Sequence, residues 1–323
     1  MKKICALLLL IILVVPSRLG QAQEFTGLVA VSWSPDGTMI AGGGPYGLLK
    51  VWDTDGNVLI EFPKTGGTIA AVAWNPDSTQ IASSASGSDK VIRVWNVNNP
   101  NFPTGELIAT FEGHRDMTFS ISWSPDGSQL ASGSIEEGII KIWDTVGFQE
   151  EPVSQQSTAN IYQVAWNPNG RQIAIASGAG VLIFPSSLGI PYAKADDYRV
   201  GLNKYTFTIS WSPDGTQLAS GDEEGNIDIW DVSSKELLRA ISGHTDYISA
   251  LAWNLDGLYL ASASADNTVA VWDIATGRQI GKYSNEKNVA TLSISWSPDG
   301  EHLAYGGNQE TAPIIVTPLD DFE

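Results

Sequence analysis

The stretch "ISWSPDG" decides the fold of this chain, because it occurs from Ile121, from Ile209 and again from Ile294. Four near-copies read "VSWSPDG" from Val31, "VAWNPDS" from Val72, "VAWNPNG" from Val164 and "LAWNLDG" from Leu251. Successive tryptophans of the copies are 41 to 49 residues apart. This period predicts supersecondary units that pack side by side, not unrelated domains. We expect these tryptophans to be buried between units: Trp33, Trp74, Trp123, Trp166, Trp211, Trp253 and Trp296.

Each copy is typical of a buried strand followed by a tight turn. A large aliphatic residue stands two positions before the tryptophan and Ser or Ala stands one before it, which is a period-two pattern. The Pro-Asp-Gly that follows favours a turn. Further strand patterns read "QLASGS" (129–134), "IIKIWD" (139–144) and, more weakly, "ELLRAISGH" (236–244). Four short antiparallel strands in a repeated unit predict one blade of a β-propeller.

Two segments, "FEGHRDMTFSISWSPDGSQLASGSIEEGIIKIWD" (111–144) and "ISGHTDYISALAWNLDGLYLASASADNTVAVWD" (241–273), resemble WD repeats of the WD40 type. The resemblance implies an all-β, seven-bladed propeller of four-stranded antiparallel blades around a central channel. Little sequence follows "PIIVTPL", so we expect three strands in the last blade, unless the N-terminal segment supplies a fourth. The predicted domains are a signal peptide over 1–22 and one propeller over 23–323. Its blades span approximately 25–62, 67–112, 117–157, 160–199, 204–242, 247–283 and 289–319.

The N-terminus is typical of a secretory signal peptide. Lys2 and Lys3 precede an apolar run over 4–15, and small residues precede a predicted cleavage after Ala22. Twelve residues span about 18 Å as a helix, short of the ~30 Å hydrocarbon core. We therefore expect an exported protein, periplasmic, cell-surface or secreted, with an uncleaved anchor as the alternative. Cys5 is the only cysteine, so the mature chain would have no thiol chemistry.

The formal charge of −18 argues against nucleic acid as a partner, because an acidic surface repels phosphate backbones. It favours a basic or polar protein partner instead.

The resemblance implies a structural tetrad in the sixth unit, in which a histidine joins the acid of a turn to a serine and an indole. Its members would be His244, Asp266, Trp272 and either Ser262 or Ser264. The third unit has a partial tetrad of His114, Trp143 and either Ser132 or Ser134, with Glu136 at the position of Asp266. A Ser-His-Asp set can also form a hydrolytic triad. Because the resemblance implies a buried network, we predict no catalytic residue, no metal site and no cofactor.

A second candidate site is the mouth of the channel. In the family that the sequence resembles, the residue six positions before the repeated tryptophan lies at this mouth. The candidate interaction rim is therefore Thr68, Met117, Asn160, Tyr205 and Tyr247. Two positions further on stand Phe119, Tyr162 and Phe207, which share the parity of the buried aliphatic residues. That parity favours packing between blades for these three.

The sequence thus predicts a non-catalytic propeller that serves as a rigid protein-interaction platform. One alternative is a propeller that binds a small ligand, or acts as an enzyme, in its central channel. Another is a periplasmic propeller similar to that of the Tol system. A third is a purely structural cell-surface module.

Overall fold

The computed structural model describes residues 27–87, 89–98, 104–135, 137–147, 153–156, 160–186, 199–200, 205–284, 290–307 and 315–318. The predicted signal peptide lies outside these ranges. Within them, no helix has the length and apolar character needed to cross a membrane.

The described chain is built from short strands that recur in a fixed order. The innermost strand of each sheet ends at the repeated tryptophan: β1 (Ala30–Trp33), β5 (Thr68–Trp74), β9 (Thr118–Trp123), β13 (Ile161–Trp166), β17 (Thr206–Trp211), β21 (Ile248–Trp253) and β25 (Thr291–Trp296). The second strands follow the turn: β2 (Met39–Gly44), β6 (Gln80–Ser86), β10 (Gln129–Ser134), β14 (Gln172–Ser177), β18 (Gln217–Asp222), β22 (Tyr259–Ser264) and β26 (His302–Gly307).

The outer half of each sheet is formed by the third and fourth strands. The third strands are β3 (Leu48–Asp53), β7 (Ile92–Asn96), β11 (Ile139–Asp144), β15 (Gly180–Pro185), β19 (Asn226–Asp231), β23 (Thr268–Asp273) and β27 (Ile315–Pro318). The fourth strands are β4 (Val58–Glu61), β8 (Glu106–Phe111), β12 (Val153–Gln156), β16 (Arg199–Val200), β20 (Leu237–Ser242) and β24 (Arg278–Ser284). A short 3-10 helix, Pro45–Gly47, joins β2 to β3.

Every described sheet is an antiparallel meander, as the all-β propeller prediction requires. Six sheets have four strands in chain order, and the last, β25-β26-β27, has three. The structure therefore has six complete four-stranded blades, not seven, together with one three-stranded sheet. We number the complete blades 1 to 6 in chain order. The three-stranded sheet lies between blade 6 and blade 1, since the Trp296 indole donates to the Ala252 carbonyl at 2.9 Å and Ser293 Oγ accepts from the Val31 amide at 3.0 Å.

The repeated tryptophans lie between neighbouring sheets and are 6 to 8% exposed. Five of their indoles donate to a backbone carbonyl of the preceding sheet at 2.9 to 3.1 Å, as Trp123 does to Ala73 and Trp211 to Ala165. Hydroxyls of one inner strand also accept from amides of the next, as Ser120 does from Val164. All seven indoles therefore pack between sheets, and five of them also hydrogen-bond one sheet to the next, whereas the buried N–H groups of Trp33 and Trp166 have no such bond.

The fourth strands of blades 1, 2, 5 and 6 contain the same irregularity. Opposite the Trp of the third strand the register shifts by one residue, which is a β-bulge. The unpaired residue is a large aliphatic one that is 37 to 51% exposed: Leu59, Ile108, Leu238 and Ile280. A bulge on an outermost strand disturbs its regular edge, which disfavours pairing with another chain.

Candidate interaction surfaces

We call the face where the inner strands begin the upper face, and the face where they end in the Pro-Asp-Gly turn the lower face. The tetrad of blade 6 lies toward the upper face. His244 Nδ1 is 2.9 Å from an Asp266 carboxylate oxygen, and its Nε2 is 2.7 Å from Ser262 Oγ. The Trp272 indole also donates to Ser262 Oγ, at 2.7 Å. Ser264 does not contact the histidine; its hydroxyl donates to the carbonyls of Asp246 and Tyr247 and accepts from the Asp266 amide.

Blade 3 contains a similar network, with a different acid from the one that the sequence suggested. His114 Nδ1 is 2.9 Å from a Glu137 carboxylate oxygen, whereas Glu136 lies outside the described residues. Ser132 Oγ is 2.7 Å from His114 Nε2 and accepts from the Trp143 indole at 2.8 Å. The connection between the second and third strands is one residue longer in blade 3 than in blade 6. In both blades the acid is therefore the residue two positions before the first residue of the third strand.

Burial lowers the pKa of His114 and of His244, although the hydrogen bond to the carboxylate in each network opposes this shift. A neutral ring then donates from Nδ1 to the carboxylate and accepts at Nε2 from the serine hydroxyl. Ser132 and Ser262 are completely buried. Because each hydroxyl is bonded on both sides and cannot be reached from solvent, the geometry does not provide a nucleophile for an external substrate.

The hydroxyl–indole pair also occurs without a described histidine. Trp95 donates to Ser83 Oγ at 2.9 Å in blade 2, and Trp230 donates to Ser220 Oγ at 2.8 Å in blade 5. Blade 4 has apolar residues at both matching positions, Ile175 and Phe184, and both are buried. The pair is thus a packing device of the repeat.

A cavity of about 280 Å³ lies in the channel between the inner strands. In blades 2 to 6 and in the three-stranded sheet, each inner strand has a bulge at which one residue is skipped in the pairing with the second strand. All six skipped residues line the cavity: Ala70, Phe119, Tyr162, Phe207, Ser249 and Leu292. The prediction that Phe119, Tyr162 and Phe207 fill space between blades holds only in part, because all three line the cavity, while the buried rings of Tyr162 and Phe207 also pack against each other across neighbouring blades. A bulge reverses the parity on which that prediction depended.

Four aromatic residues from consecutive blades line one side of this cavity, and we call them the aromatic arc: Phe119, Tyr162, Phe207 and Tyr247. The Phe207 ring packs edge-on against Tyr162 with centroids 5.0 Å apart, and against Tyr247 with centroids 5.5 Å apart. Tyr162 and Phe207 are about nine-tenths buried, while Phe119 and Tyr247 are half-buried. Burial, with a smaller contribution from Asp246, raises the pKa of Tyr247 to about 12, so its hydroxyl stays protonated.

The five candidate rim residues differ in their position relative to the cavity. All five are half-buried. Tyr247 lines the cavity, and Tyr205 packs against the same aromatic cluster. Thr68, Met117 and Asn160 are not among the residues that line the cavity. The structure therefore gathers two of the five candidates around the aromatic arc.

The serine, threonine and glutamine side chains that line the cavity are engaged in bonds within the protein. Four of these side chains accept a hydrogen bond from a backbone amide of a neighbouring inner strand. The accepting side chain and the donating amide are Ser120 and Val164, Gln163 and Ile209, Thr208 and Leu251, and Ser293 and Val31. Ser249 Oγ donates to the Thr291 carbonyl. What the cavity presents to an entering group is thus largely apolar and aromatic surface.

Comparison with known proteins identifies propeller sequences. The family description "WDR19 first beta-propeller" matches residues 119–288, more than half of the chain. "WD domain, G-beta repeat" matches residues 21–53, and "Eukaryotic translation initiation factor eIF2A" matches residues 53–184.

Several curated proteins are similar over long segments. "WD repeat-containing protein slp1" of Schizosaccharomyces pombe is 29% identical over 231 residues, which cover 70% of this chain and 45% of that protein. "Cell division cycle 20.1, cofactor of APC complex" of Arabidopsis thaliana is 23% identical over 243 residues, covering 70% and 50%. "Small ribosomal subunit protein RACK1" of S. pombe is 30% identical over 138 residues, covering 40% and 42%. The chain spans about half the length of the curated relatives it matches.

Proposed function

We propose that this chain, which belongs to the WD-repeat β-propeller family, is a non-catalytic platform that binds a partner polypeptide at the upper mouth of its channel. The aromatic arc carries this proposal. Four rings on consecutive blades offer a continuous apolar surface, and aromatic side chains dominate the binding energy of protein interfaces. Tyr205 and Tyr247, which are half-buried, would make the outermost contacts.

The chemistry around the arc supports a polypeptide rather than a reacting substrate. Catalysis in the channel needs polar groups that converge on a substrate, whereas the serine, threonine and glutamine side chains on the cavity wall are bonded to neighbouring strands. A channel-binding small ligand stays the alternative, and it would be a largely apolar molecule. The name of one relative, a cofactor of a complex, also agrees with a role in assembly.

The partner should carry basic residues, because the chain is strongly acidic. Asp246 directly precedes Tyr247, and Asp116 lies on the connection that enters β9. Complementary charge accelerates association and makes it sensitive to salt.

We propose further that the three-stranded sheet serves as the seventh blade and completes the ring. The amides of Val31 and Trp33 donate to Ser293 Oγ and Ser295 Oγ, at 3.0 and 3.2 Å, so blade 1 is joined to this sheet as blades are joined elsewhere.

We also propose that the chain is exported. Its support is the sequence over 1–22, with Lys2 and Lys3 before an apolar run. Mass spectrometry of the protein recovered from the producing cell tests this proposal. A first residue at Gln23 in a fraction outside the cytoplasm supports it, and an intact N-terminus in the cytoplasm contradicts it.

The interaction is tested by affinity capture with three forms of the full chain: the unaltered protein, Tyr205→Ala/Tyr247→Ala, and Tyr46→Ala. Tyr46 is the matched control, because it is 56% exposed on the connection between β2 and β3 of blade 1, outside the arc. We expect a partner that the unaltered and Tyr46→Ala proteins retain and the double variant loses. Equal recovery with all three forms would contradict binding at the arc, and turnover of a screened substrate would contradict the non-catalytic assignment.

A further inference from the structure

The turn between β21 and β22 departs from the other copies of the repeat. It reads Asn254-Leu255-Asp256-Gly257-Leu258. The position of Leu255 is proline in the other six copies: Pro35, Pro76, Pro125, Pro168, Pro213 and Pro298. The position of Leu258 is polar in all of them: Thr38, Thr79, Ser128, Arg171, Thr216 and Glu301. Two leucines in one copy, each at a position otherwise free of large apolar residues, need an explanation beyond the architecture.

The usual residues at these positions stabilise the turn. Proline fixes φ at the start of the turn. In blade 5 the Thr216 hydroxyl donates to the Asp214 carboxylate at 2.9 Å. In blade 6 the Asp256 carboxylate accepts from the Leu258 amide at 2.8 Å, and the leucine has no hydroxyl to add a second bond. The two leucines therefore give up the proline that all six other copies have and the hydroxyl bond that four of them make.

The leucines are also exposed, Leu255 by 63% and Leu258 by 56%. Two adjacent side chains of this size on a turn add apolar surface without contributing to the core. The change thus weakens the turn and leaves apolar surface in contact with water, and contact with another molecule is the benefit that would offset it.

The surroundings of the leucine pair are strongly acidic. Ten aspartates lie in the turns and third-strand ends of the lower face: Asp36, Asp53, Asp77, Asp126, Asp144, Asp214, Asp231, Asp256, Asp273 and Asp299. Basic side chains there include Arg171, Lys235, Arg239 and Arg278, but the guanidinium of Arg239 is bonded to the carbonyls of Ala275 and Thr276.

Hydrogen bonds hold the carboxylates around the leucine pair, in blade 6 and in the two neighbouring sheets, in the ionised form. Hydrogen bonds from Ser212 and from Ser297 lower the pKa of Asp214 and of Asp299, respectively. A hydrogen bond from Thr276 lowers the pKa of Asp273, which pairs with Tyr259 beside Leu258. The leucine pair is therefore framed by negative charge that persists well below neutral pH.

We propose that the lower face of blade 6 docks a basic amphipathic segment of a partner polypeptide. Leu255 and Leu258 enter the apolar side of that segment, and the surrounding aspartates pair with its lysines and arginines. An anionic membrane surface does not fit, because the aspartates repel it. A second copy of this chain fits poorly, because it would bring two acidic faces together. This face lies opposite the mouth assigned above, so the chain would join two partners.

The chain itself supplies the sharpest variant for a test. Leu255→Pro/Leu258→Thr rewrites the turn as Asn-Pro-Asp-Gly-Thr, and Asn-Pro already begins the turns of blades 2 and 4. The variant leaves every charge in place. We expect its unfolding midpoint to equal or exceed that of the unaltered protein, since proline and the threonine hydroxyl favour this turn.

Binding is measured by fluorescence anisotropy with a labelled helical peptide of leucine and lysine, at low and high salt, using the full chain. We expect the unaltered protein to bind, with affinity that falls as salt rises, and the double variant to bind at least about tenfold more weakly. Val146→Thr is the control, because Val146 is 76% exposed on the lower side of blade 3 and its loss should change nothing.

Three results would overturn the proposal. The first is equal affinity of the double variant and the unaltered protein for the peptide, which would mean that charge alone attracts it. Absence of binding by either protein would also contradict the proposal. The second is equally tight binding of a matched leucine–glutamate peptide. The third is a result in analytical ultracentrifugation in which the unaltered protein self-associates and the double variant does not. The occupant of this face would then be a second copy of the chain.

Discussion

The Trp230 indole of blade 5 donates to the Ser220 hydroxyl at 2.8 Å, and both residues are buried. The same pair occurs in blades 2, 3 and 6, whereas blade 4 replaces both partners with Ile175 and Phe184. Blade 1 keeps the indole, as Trp52, but has Gly42 at the position of the serine, so the hydroxyl accompanies the indole in four of the five blades that have it. A buried donor that loses its acceptor costs free energy, and the serine prevents that loss in these four blades.

The first prediction is that Ser220 and Trp230 are energetically coupled. Ser220→Ala leaves the indole N–H without this acceptor and should cost about 1–3 kcal/mol. Trp230→Phe alone should also destabilise the protein. The double variant should cost less than the two single changes together, because neither partner is then left unsatisfied. Chemical denaturation of the four proteins measures this coupling, and strictly additive costs would show that the hydrogen bond contributes nothing.

The second prediction is that mildly acidic pH lowers the stability of the folded protein. Burial lowers the pKa of His114 and His244 in the folded protein, while an unfolded histidine titrates near about 6.5. The unfolded state therefore binds more protons between these values, and stability must fall as the pH drops below about 6.5 toward the folded pKa. Above that pH the contribution is fully present. Denaturation midpoints measured from neutral to mildly acidic pH should decline accordingly.

The matched variant is His114→Asn/His244→Asn, in which an amide that does not titrate can take the place of Nδ1 and donate to the acid. Its stability should be lower overall but nearly constant over the same pH interval. An unchanged decline in this variant would assign the acid sensitivity to other groups. The carboxylates of Asp266 and Glu137, whose pKa values are lowered, lose their contribution only at still lower pH.

The period of the repeat predicted much of the fold. Seven tryptophans near one spacing located every inner strand, because a side chain buried between sheets recurs wherever a sheet recurs. Alignment on the second strand gives Glu136 instead of Glu137, because the connection to the third strand is one residue longer in blade 3 than in blade 6. Counting back from the third strand finds Glu137.

The aromatic arc could not be predicted from parity. Phe119, Tyr162 and Phe207 share the period-two position of the buried aliphatic residues, yet each is the unpaired residue of a bulge. A bulge depends on hydrogen bonding with the adjacent strand, and the identity of one residue does not reveal it. The leucine pair of blade 6, in contrast, was visible in the sequence as a departure from "SPDG".

The third prediction is that Trp272→Ala destabilises the protein by about 3–5 kcal/mol, since it empties a fully packed site. Trp272 is 2% exposed, and its ring covers Gly243 as well as bonding to Ser262. The loss of stability is measured by thermal unfolding of Trp272→Ala, with Tyr46→Ala as the control for substitution of an exposed residue. A melting temperature equal to that of the control would mean that Trp272 is not part of the packed blade.

The fourth prediction uses the turn of blade 2, in which Ser78 takes the position of a glycine. Six of the seven turns have glycine here with φ between 69° and 75°, and Ser78 adopts φ of 60°. This left-handed conformation is unfavourable for a residue with a side chain. In return, Ser78 Oγ accepts a hydrogen bond from the Asp36 amide of blade 1 at 3.1 Å.

The two contributions are separated by two substitutions. Ser78→Gly loses the bond between blades but removes the strain, so its net effect should be small. Ser78→Ala loses the bond and keeps the strain, so it should destabilise the protein clearly more than Ser78→Gly, by about 1 kcal/mol. Denaturant midpoints of the three proteins decide the order. If Ser78→Ala is at least as stable as Ser78→Gly, the strained backbone is not what opposes the serine here, and if it is also as stable as the unaltered protein, the bond to blade 1 does not stabilise the turn.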